Sequence, residues 1–293
     1  MHLLKRESIV VPEQKSNIRL SDIPAGTFST IHSRKGFKKA IKNGLVTLNG
    51  EKAYTSDFIK GGECVTIFQD TSISKKPTID LPLNILYEDN FLAVIYKPAG
   101  LVVSGNKKFT IENALPKALK LSSQKDALKR PEPIHRLDYP TSGCLLIGKT
   151  SSIVIQLNKL FENKKIDKVY HAVTIHNLPK LGTINTTIGG KESYTEFECL
   201  ETKKSNKYNS LNLVRIVPKT GRKHQIRKHL SGIGSPILGD NQYGIEGKKG
   251  LGNGLYLHAS SLAFNHPITS QKVLIETNLP KKFSTLFKNM EKQ

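Results

Sequence analysis

Short runs rich in β-branched and aromatic residues dominate the middle of the chain and constrain its fold more than any other feature. They are FLAVIYK (91–97), CLLIG (144–148), KVYHAVTI (168–175), TEFECLE (195–201) and LNLVRIV (211–217). Two helical patterns interrupt them, one over 151–163 and one that begins near Arg222 or His224. Because strands recur without the regular strand–helix alternation of a doubly wound sheet, we predict an α+β fold: a mixed, mainly antiparallel sheet with helices packed on it.

A polar segment divides the chain into two parts. Residues 69–84 (QDTSISKKPTIDLPLN) include two prolines, which is typical of a linker. Upstream, the sequence predicts a short helix and then strands that turn at Asn49-Gly50 and Gly61-Gly62. The prediction is a small α/β domain over 1–68 with its core at about 27–68, a linker over 69–84, and a large domain over 85–293.

The charge balance favours a polyanionic partner. Lysine and arginine number 45 against 24 acidic residues, a formal net charge of +21, so nucleic acid is the first candidate. The chain has no apolar stretch of the roughly 18 residues that a membrane-spanning helix needs, and no signal-peptide core at its start. We therefore expect a cytoplasmic protein without a membrane partner.

Cysteine and histidine usage argues against metal chemistry. Cys64, Cys144 and Cys199 are far apart in strand-like runs, and we expect them to be small core residues. His224 and His229 do not have the spacing that places two histidines and a carboxylate on one helical face. The expectation is no disulfide, no metal and no cofactor.

The predicted helix of the small domain is unusually basic. Phe37 and Ile41, four residues apart, mark its buried side. The outward positions carry Lys35, Lys38, Lys39 and Lys42, with no acidic residue over 34–42. These lysines either form a solvated surface or meet RNA phosphates that neutralise their repulsion. Residues 27–68 resemble the small RNA-binding domain first known from a ribosomal small-subunit protein, which implies RNA binding.

One carboxylate stands out in the segment HRLDYPTSG (135–143). Asp138 follows a proline-flanked stretch and precedes a strand, a position where catalytic groups concentrate, although an aspartate two residues before a proline is also ordinary turn chemistry. Arg136, Thr141 and Ser142 could offer donors to a phosphate or a sugar, and Gly143 permits close backbone approach.

Two further segments supply candidate ligand groups. The helix that begins near Arg222 is predicted to bury Ile226, Leu230 and Ile233, while Lys223, Arg227 and Lys228 project elsewhere; its basic N-terminus would suit a phosphate or form a solvated surface. In the strand KVYHAVTI, alternation places Tyr170 opposite Val169 and His171. Tyr170 is therefore either a core residue or a stacking platform for a base.

Five segments in order resemble the RluA/RluD-type family of RNA pseudouridine synthases. They are residues 85–103 (ILYEDNFLAVIYKPAGLVV), 135–143, 168–175, 220–244 (TGRKHQIRKHLSGIGSPILGDNQYG) and 257–269 (LHASSLAFNHPIT). The resemblance implies a cofactor-independent isomerase that converts uridine to pseudouridine in structured RNA. Large-subunit ribosomal RNA is the favoured substrate, and transfer RNA is the alternative. We expect the enzyme to be a monomer. The alternative from another class is an RNA-binding or ribosome-assembly factor that has lost catalysis.

The resemblance also implies roles for individual residues. Asp138 would be the catalytic carboxylate, acting either as a nucleophile on the anomeric carbon or as a base on the sugar. Tyr170 would stack on the target uracil and assist deprotonation, and an arginine would pair with Asp138. That arginine is Arg222 or Arg227, and we favour Arg227. Arg136 would push into the RNA helix. The remaining RNA-binding candidates are His135, Thr141, Ser142, Lys223 and His224.

Overall fold

The computed structural model describes residues 3–14, 16–24, 26–31, 33–70, 76–244 and 252–287. The chain forms two compact units, Met1–Pro77 and Thr78–Gln293. No helix within these described ranges combines the length and the apolar character needed to cross a membrane.

The first unit packs one helix against small sheets. Its elements are β1 (Leu3–Val10), β2 (Ile18–Arg19), α1 (Arg34–Lys42), β3 (Val46–Leu48), β4 (Glu51–Lys52), β5 (Phe58–Ile59) and β6 (Cys64–Asp70). One sheet has the strand order β1-β6-β3-β4, and β2 pairs with β5. The strand β1 was not predicted, because it is an edge strand whose side chains are mostly exposed and therefore lack an apolar pattern.

The basic helix α1 has the predicted orientation. Ser33 caps its N-terminus by accepting a hydrogen bond from the amide of Gly36, and Phe37 and Ile41 are buried. Lys35, Lys38, Lys39 and Lys42 are all exposed. Asp22, which precedes α1 in the chain, has its carboxylate 3.6 Å from the ammonium of Lys38. Part of the expected repulsion is therefore relieved within the protein.

The second unit contains a ten-stranded sheet. Its strands are β7 (Asn84–Glu88), β8 (Leu92–Lys97), β9 (Ala127–Pro133), β10 (Ser142–Thr150), β11 (Asp167–Ile175), β12 (Leu181–Asn185), β13 (Tyr194–Ser205), β14 (Asn209–Pro218), β15 (Leu257–Asn265) and β16 (Lys272–Glu276). Its helices are α2 (Ile111–Ala118), α3 (Ser151–Glu162), α4 (Gln225–Gly232) and α5 (Lys281–Leu286). The main strand order is β12-β13-β14-β11-β15-β10-β8-β7, with β16 beside β15 and β9 beside β10.

The sheet confirms the predicted fold class. Among its described strands, all pairs are antiparallel except the short pair β10 with β15. Both predicted helices are present, as α3 and α4. The sequence patterns missed α2 and α5, of which α2 carries a proline in its interior and α5 spans only six residues. Such short elements give little periodicity to read.

A central row of residues crosses the middle of the sheet, where the parallel pair lies. Gly143 pairs with Lys97 on β8 and with Ala259 on β15, and Ala259 pairs in turn with Tyr170 on β11. A Cβ atom on Gly143 would lie 2.1 Å from the carbonyl oxygen of Ala259, and the φ angle of Gly143 is +121°. Only glycine tolerates both conditions, so this residue permits the two halves of the sheet to join.

Residues at both ends of the predicted linker, 69–84, belong to the folded units in the structure. The strand β6 runs to Asp70, and residues 71–75 lie outside the described residues. From Thr78 onward the chain belongs to the second unit: Ile79 is buried and its amide donates to the carbonyl of Asn113. An apolar residue inside a polar stretch can thus attach the stretch to a core.

Two smaller expectations are corrected. Cys144 and Cys199 are buried, but Cys64 is only partly buried, with its thiol 3.3 Å from the hydroxyl of Ser8. Ile233 is 42% exposed, because α4 ends at Gly232 and the helical spacing no longer applies beyond that point. The buried apolar side of α4 consists of Ile226 and Leu230.

We predict that Gly143→Ala lowers the free energy of unfolding by more than about 3 kcal/mol, because a clash with backbone adds to backbone strain. Urea denaturation followed by circular dichroism measures the change. The matched control is Gly232→Ala at the end of α4, where φ is not positive and a Cβ meets nothing within 4 Å. Equal stability of the two variants would contradict the role given to Gly143.

Candidate active site

Asp138 lies in the loop between β9 and β10, in a turn whose backbone is firmly held. The carbonyl of Asp138 accepts a hydrogen bond from the amide of Thr141 at 3.0 Å. The ammonium of Lys97 donates to the carbonyls of Pro98, Tyr139 and Thr141 at 2.8, 3.3 and 2.7 Å. The Lys97 side chain is fully buried, and its hydrogen bonds link the end of β8 to the turn that follows Asp138.

Burial lowers the pKa of Lys97 to about 8, although the negative charge of Asp138 opposes this shift. Lys97 is therefore still mainly charged at neutral pH. Its three carbonyl partners compensate for the water that it has lost, as a buried ammonium requires.

Arg227, on the first turn of α4, connects two carboxylates. Its Nε and Nη2 atoms donate to the two oxygens of Asp240 at 2.7 and 2.8 Å, while Nη1 lies 3.4 Å from Oδ2 of Asp138. Burial alone would lower the pKa of Arg227, but the hydrogen bond and charge of Asp240 raise it above its ordinary value. Of the two candidate arginines, Arg227 is the one beside Asp138; Arg222 instead donates its Nε to the carbonyl of Glu192 at 3.1 Å.

Asp240 is itself held by the backbone that follows it. The amides of Gln242 and Tyr243 both donate to Oδ1 of Asp240 at 3.0 Å. Burial would raise the pKa of Asp240, but these amides and Arg227 lower it below its ordinary value. The guanidinium of Arg227 also lies 4.9 Å from the ring centroid of Tyr243. Arg227 therefore has a fixed position, with one donor directed at Asp138.

His224 approaches the other oxygen of Asp138. Its Nε2 atom is 3.7 Å from Oδ1, and its Nδ1 atom is 2.9 Å from the hydroxyl of Tyr243. The residue has a φ of +57°, a conformation that turns the chain into α4. Burial lowers the pKa of His224, and although Asp138 opposes this, Arg227 and two lysines reinforce it. The imidazole is therefore neutral at physiological pH.

Tyr170 reaches the site along the central row. It pairs with Ala259, and its ring packs against two of the apolar clusters of the second unit. Burial raises the pKa of the Tyr170 hydroxyl well above its ordinary value, and the charge of Asp138 adds to the shift. A protonated phenol can stack on a base and donate a hydrogen bond, whereas accepting a proton would first require its own ionisation.

Two cavities meet at Asp138. The smaller cavity, about 390 Å³, is lined by Asp138, Tyr170, Arg227, Leu257 and neighbouring residues. The larger cavity, about 990 Å³, is lined by Asp138, Gly100, Tyr139, Lys223 and neighbouring residues, and does not include Tyr170. Six residues line both cavities: Arg136, Leu137, Asp138, Lys223, His224 and Arg227.

The other predicted ligand groups fall into two sets. Arg136 and Lys223 are exposed at the mouths of both cavities. His135 and Ser142 stay predictions as RNA contacts; both side chains have partners within the protein, and His135 also lines the smaller cavity. The Nε2 atom of His135 accepts a hydrogen bond from the amide of Leu146, and burial lowers its pKa to about 3. Ser142 is buried, with its hydroxyl 2.8 Å from Nδ1 of His258.

Thr141, which stays a predicted RNA contact, is buried at the smaller cavity. It is 2% exposed, and its hydroxyl oxygen has no hydrogen-bond partner among the described residues. The residue lines the smaller cavity from beneath the turn. Its backbone, by contrast, takes part in the turn through both its amide and its carbonyl.

Sequence reasoning missed Lys97 and Asp240. Both belong to segments that carry the family resemblance, within 85–103 and 220–244. The usable signal was a charged residue at the end of an apolar strand in one case, and an acid between glycine-rich stretches in the other. Neither signal shows that the charge is buried, which only the tertiary structure reveals.

Comparisons with known proteins agree on one family. The model of the RNA pseudouridylate synthase family matches residues 91–232. An Aquifex aeolicus protein described as an uncharacterized RNA pseudouridine synthase is 34% identical, with 88% of this chain and 90% of that protein covered. Ribosomal large subunit pseudouridine synthase D of Xanthomonas campestris is 30% identical, with 94% and 90% covered.

A solved structure is similar as well. The protein titled human RNA pseudouridylate synthase domain containing 4 aligns with a TM-score of 0.56 and 27% identity. The alignment covers 68% of this chain and 90% of that one.

We predict that Asp240→Asn lowers the free energy of unfolding by about 3 kcal/mol, because it removes one partner of a buried ion pair. Urea denaturation measures the loss. The matched control is Glu196→Gln, which removes the partner of Lys219 in a pair whose side chains are 41% and 45% exposed, and which we expect to cost less than about 1 kcal/mol. A loss at Asp240 no greater than that at Glu196 would contradict the buried-pair argument.

Proposed function

The chain belongs to the RNA pseudouridylate synthase family, and we propose that it converts uridine to pseudouridine within large-subunit ribosomal RNA. The observation that carries the proposal is the Asp138 carboxylate, 3.4 Å from the Arg227 guanidinium in a cavity also lined by Tyr170. Relatives named as large-subunit synthases C and D, 30 to 32% identical to this chain, support ribosomal RNA as the substrate.

The isomerisation needs little from the protein beyond one carboxylate. The glycosidic bond to nitrogen 1 breaks, the uracil turns, a bond forms to carbon 5, and the proton lost from carbon 5 is balanced by the proton that nitrogen 1 gains. No electrons are gained or lost in the net change, and no second reactant enters. One ionised group at the sugar, together with a pocket that retains the free base, can therefore complete the reaction.

Asp138 has the charge environment for that role. Arg227 and Lys97 supply positive charge on one side, and the neutral His224 faces the other oxygen. The Asp138 side chain is 17% exposed, so substrate can reach it while bulk water is largely excluded. As a nucleophile it would attack the anomeric carbon, and as a base it would remove the proton from carbon 2 of the sugar; the same placement serves either route.

The target base must leave its RNA helix to reach this carboxylate. The smaller cavity has the dimensions of one nucleoside and presents the Tyr170 ring for stacking. Arg136, which is exposed and lines this cavity, would occupy the gap that the base leaves. Unstacking costs a few kcal/mol, and contacts of surface cations with phosphates offset that cost.

The first unit is proposed as an accessory RNA-binding module. Its helix α1 presents Lys35, Lys39 and Lys42 to solvent, while Lys38 already has Asp22 as a partner. A row of lysines with no acid in its own helix is suited to phosphates, which release their counterions when they are neutralised.

We predict that Asp138→Asn lowers the rate of pseudouridine formation by at least roughly 100-fold while changing RNA affinity only a few-fold, because the amide is neutral but has nearly the same shape. The rate is measured with purified enzyme on transcribed large-subunit ribosomal RNA, and affinity by filter binding. Retained activity would contradict the assignment of Asp138.

The substrate is tested in cells of the source organism that lack the gene. Their RNA is treated with the carbodiimide that marks pseudouridine and is read by primer extension. We expect lost stops in large-subunit ribosomal RNA that return with the intact gene and not with Asp138→Asn. Stops lost only in transfer RNA would overturn the proposed substrate, and no lost stop would favour a non-catalytic binding protein.

We predict that the triple variant Lys35→Gln, Lys39→Gln, Lys42→Gln reduces the slope of log affinity against log salt by about 2, because up to three phosphate contacts are lost. Filter binding over a salt series measures the slope. The control removes the same charge from exposed lysines scattered over the second unit, Lys120, Lys191 and Lys272. Equal slopes for the two triple variants would contradict a specific role for α1.

A further inference from the structure

We propose that the larger cavity is a subsite for the nucleotide next to the target uridine, and that the base of this nucleotide stacks on Tyr139. The inference rests on the proposed function for its biological setting. It adds a second recognition site, because the chemistry requires only the target nucleoside and leaves the larger cavity unused.

The first support is the exposure of an aromatic ring beside the reacting group. Tyr139 follows Asp138 directly and is 56% exposed, although burying a tyrosine ring would favour stability. It lines the larger cavity only, whereas Tyr170 lines the smaller cavity only. Each cavity thus has a tyrosine of its own, and Asp138 lies where the two cavities meet.

The second support is the rigidity of the backbone under Tyr139. Its carbonyl accepts hydrogen bonds from the amide of Gly100 at 2.8 Å and from Lys97 at 3.3 Å. Tyr139 is a central residue of the turn closed by Asp138 and Thr141, and Pro140 restricts the turn further. A tyrosine on fixed backbone has only two rotatable side-chain bonds to order, which keeps the entropic cost of stacking low.

The third support is the charge and the spacing around the cavity. Lys223 is exposed, lines the cavity and can meet the phosphate that links two successive nucleotides. Asp138 and Tyr139 are adjacent in the chain and line the same cavity, so a base that follows or precedes the one at Asp138 can extend toward Tyr139. At about 990 Å³ the cavity has room for such a nucleotide.

The test uses short oligoribonucleotides in which all residues are abasic except either one uridine or two adjacent uridines. Dissociation constants are measured by fluorescence anisotropy for the full-length protein and for Tyr139→Phe and Tyr139→Ala. We expect the second uridine to tighten binding roughly 5- to 100-fold in the wild type and in Tyr139→Phe. In Tyr139→Ala we expect it to add less than about twofold, because the stacking partner is absent.

The matched control is Phe109→Ala, which removes a ring that is 60% exposed beside Lys108 and that lines neither cavity. We expect it to keep the full gain from the second uridine. Thermal unfolding of each variant confirms that the exposed substitutions leave the fold intact. An equal gain in Tyr139→Ala and in the wild type, or no gain in the wild type, overturns the subsite.

The outcome is separable from that of the proposed function. A wild-type protein that forms no pseudouridine in ribosomal RNA, yet loses the gain from the second uridine in Tyr139→Ala, refutes the activity and supports the subsite. A protein that forms pseudouridine but shows no dependence on Tyr139 supports the activity and refutes the subsite.

Discussion

The close approach of β10 and β15 at Gly143 is the constraint on which the rest of the second unit depends. A side chain on Gly143 would collide with the backbone of Ala259, so the short parallel pair exists only because this position has no Cβ atom. The pair joins two antiparallel halves of one sheet and aligns Lys97 and Tyr170 in the same row as Gly143. Asp138 lies in the loop just before this row, so its position relative to Lys97 and Tyr170 is set by sheet register, while α4 supplies Arg227.

The charged side chains beside Asp138 are paired with one another, and Arg227 is the group that connects them. Arg227 gives two donors to Asp240 and leaves one for Asp138 at a longer distance, 3.4 Å against 2.7 and 2.8 Å. The tighter pair fixes the guanidinium, and the looser contact leaves Asp138 free to act on a ligand. A carboxylate bound as closely as Asp240 would be a poor nucleophile or base, because its lone pairs would already be engaged.

Sequence patterns predicted what depends on local periodicity and on position along the chain. The antiparallel character of the sheet, the exposed lysines of α1 and the placement of Asp138 in a loop before a strand could all be read directly. The choice between Arg222 and Arg227 could not, because it depends on tertiary contacts: Arg222 precedes α4 and contacts Glu192, whereas Arg227 lies on α4 beside Asp138. The buried Lys97 and Asp240 were missed for a related reason: hydropathy assigns charged residues to the surface, and only tertiary partners make their burial tolerable.

The charges of the site determine where the phosphates and the uncharged base of an RNA are favoured. Lys97 and Arg227 offset Asp138 and Asp240, and burial keeps nearby His171 and His258 neutral by lowering their pKa values to about 4. The charges of these groups balance beside Asp138, whereas the exposed Arg136 and Lys223 form a basic rim, and Lys168 and Lys282 add positive charge to the cavity linings. Phosphates are attracted to the rim, where they stay hydrated, and an uncharged uracil enters the interior at a low electrostatic cost. A basic rim around a carboxylate whose charge is balanced thus favours the nucleobase beside Asp138 and the phosphates of the same RNA at the rim.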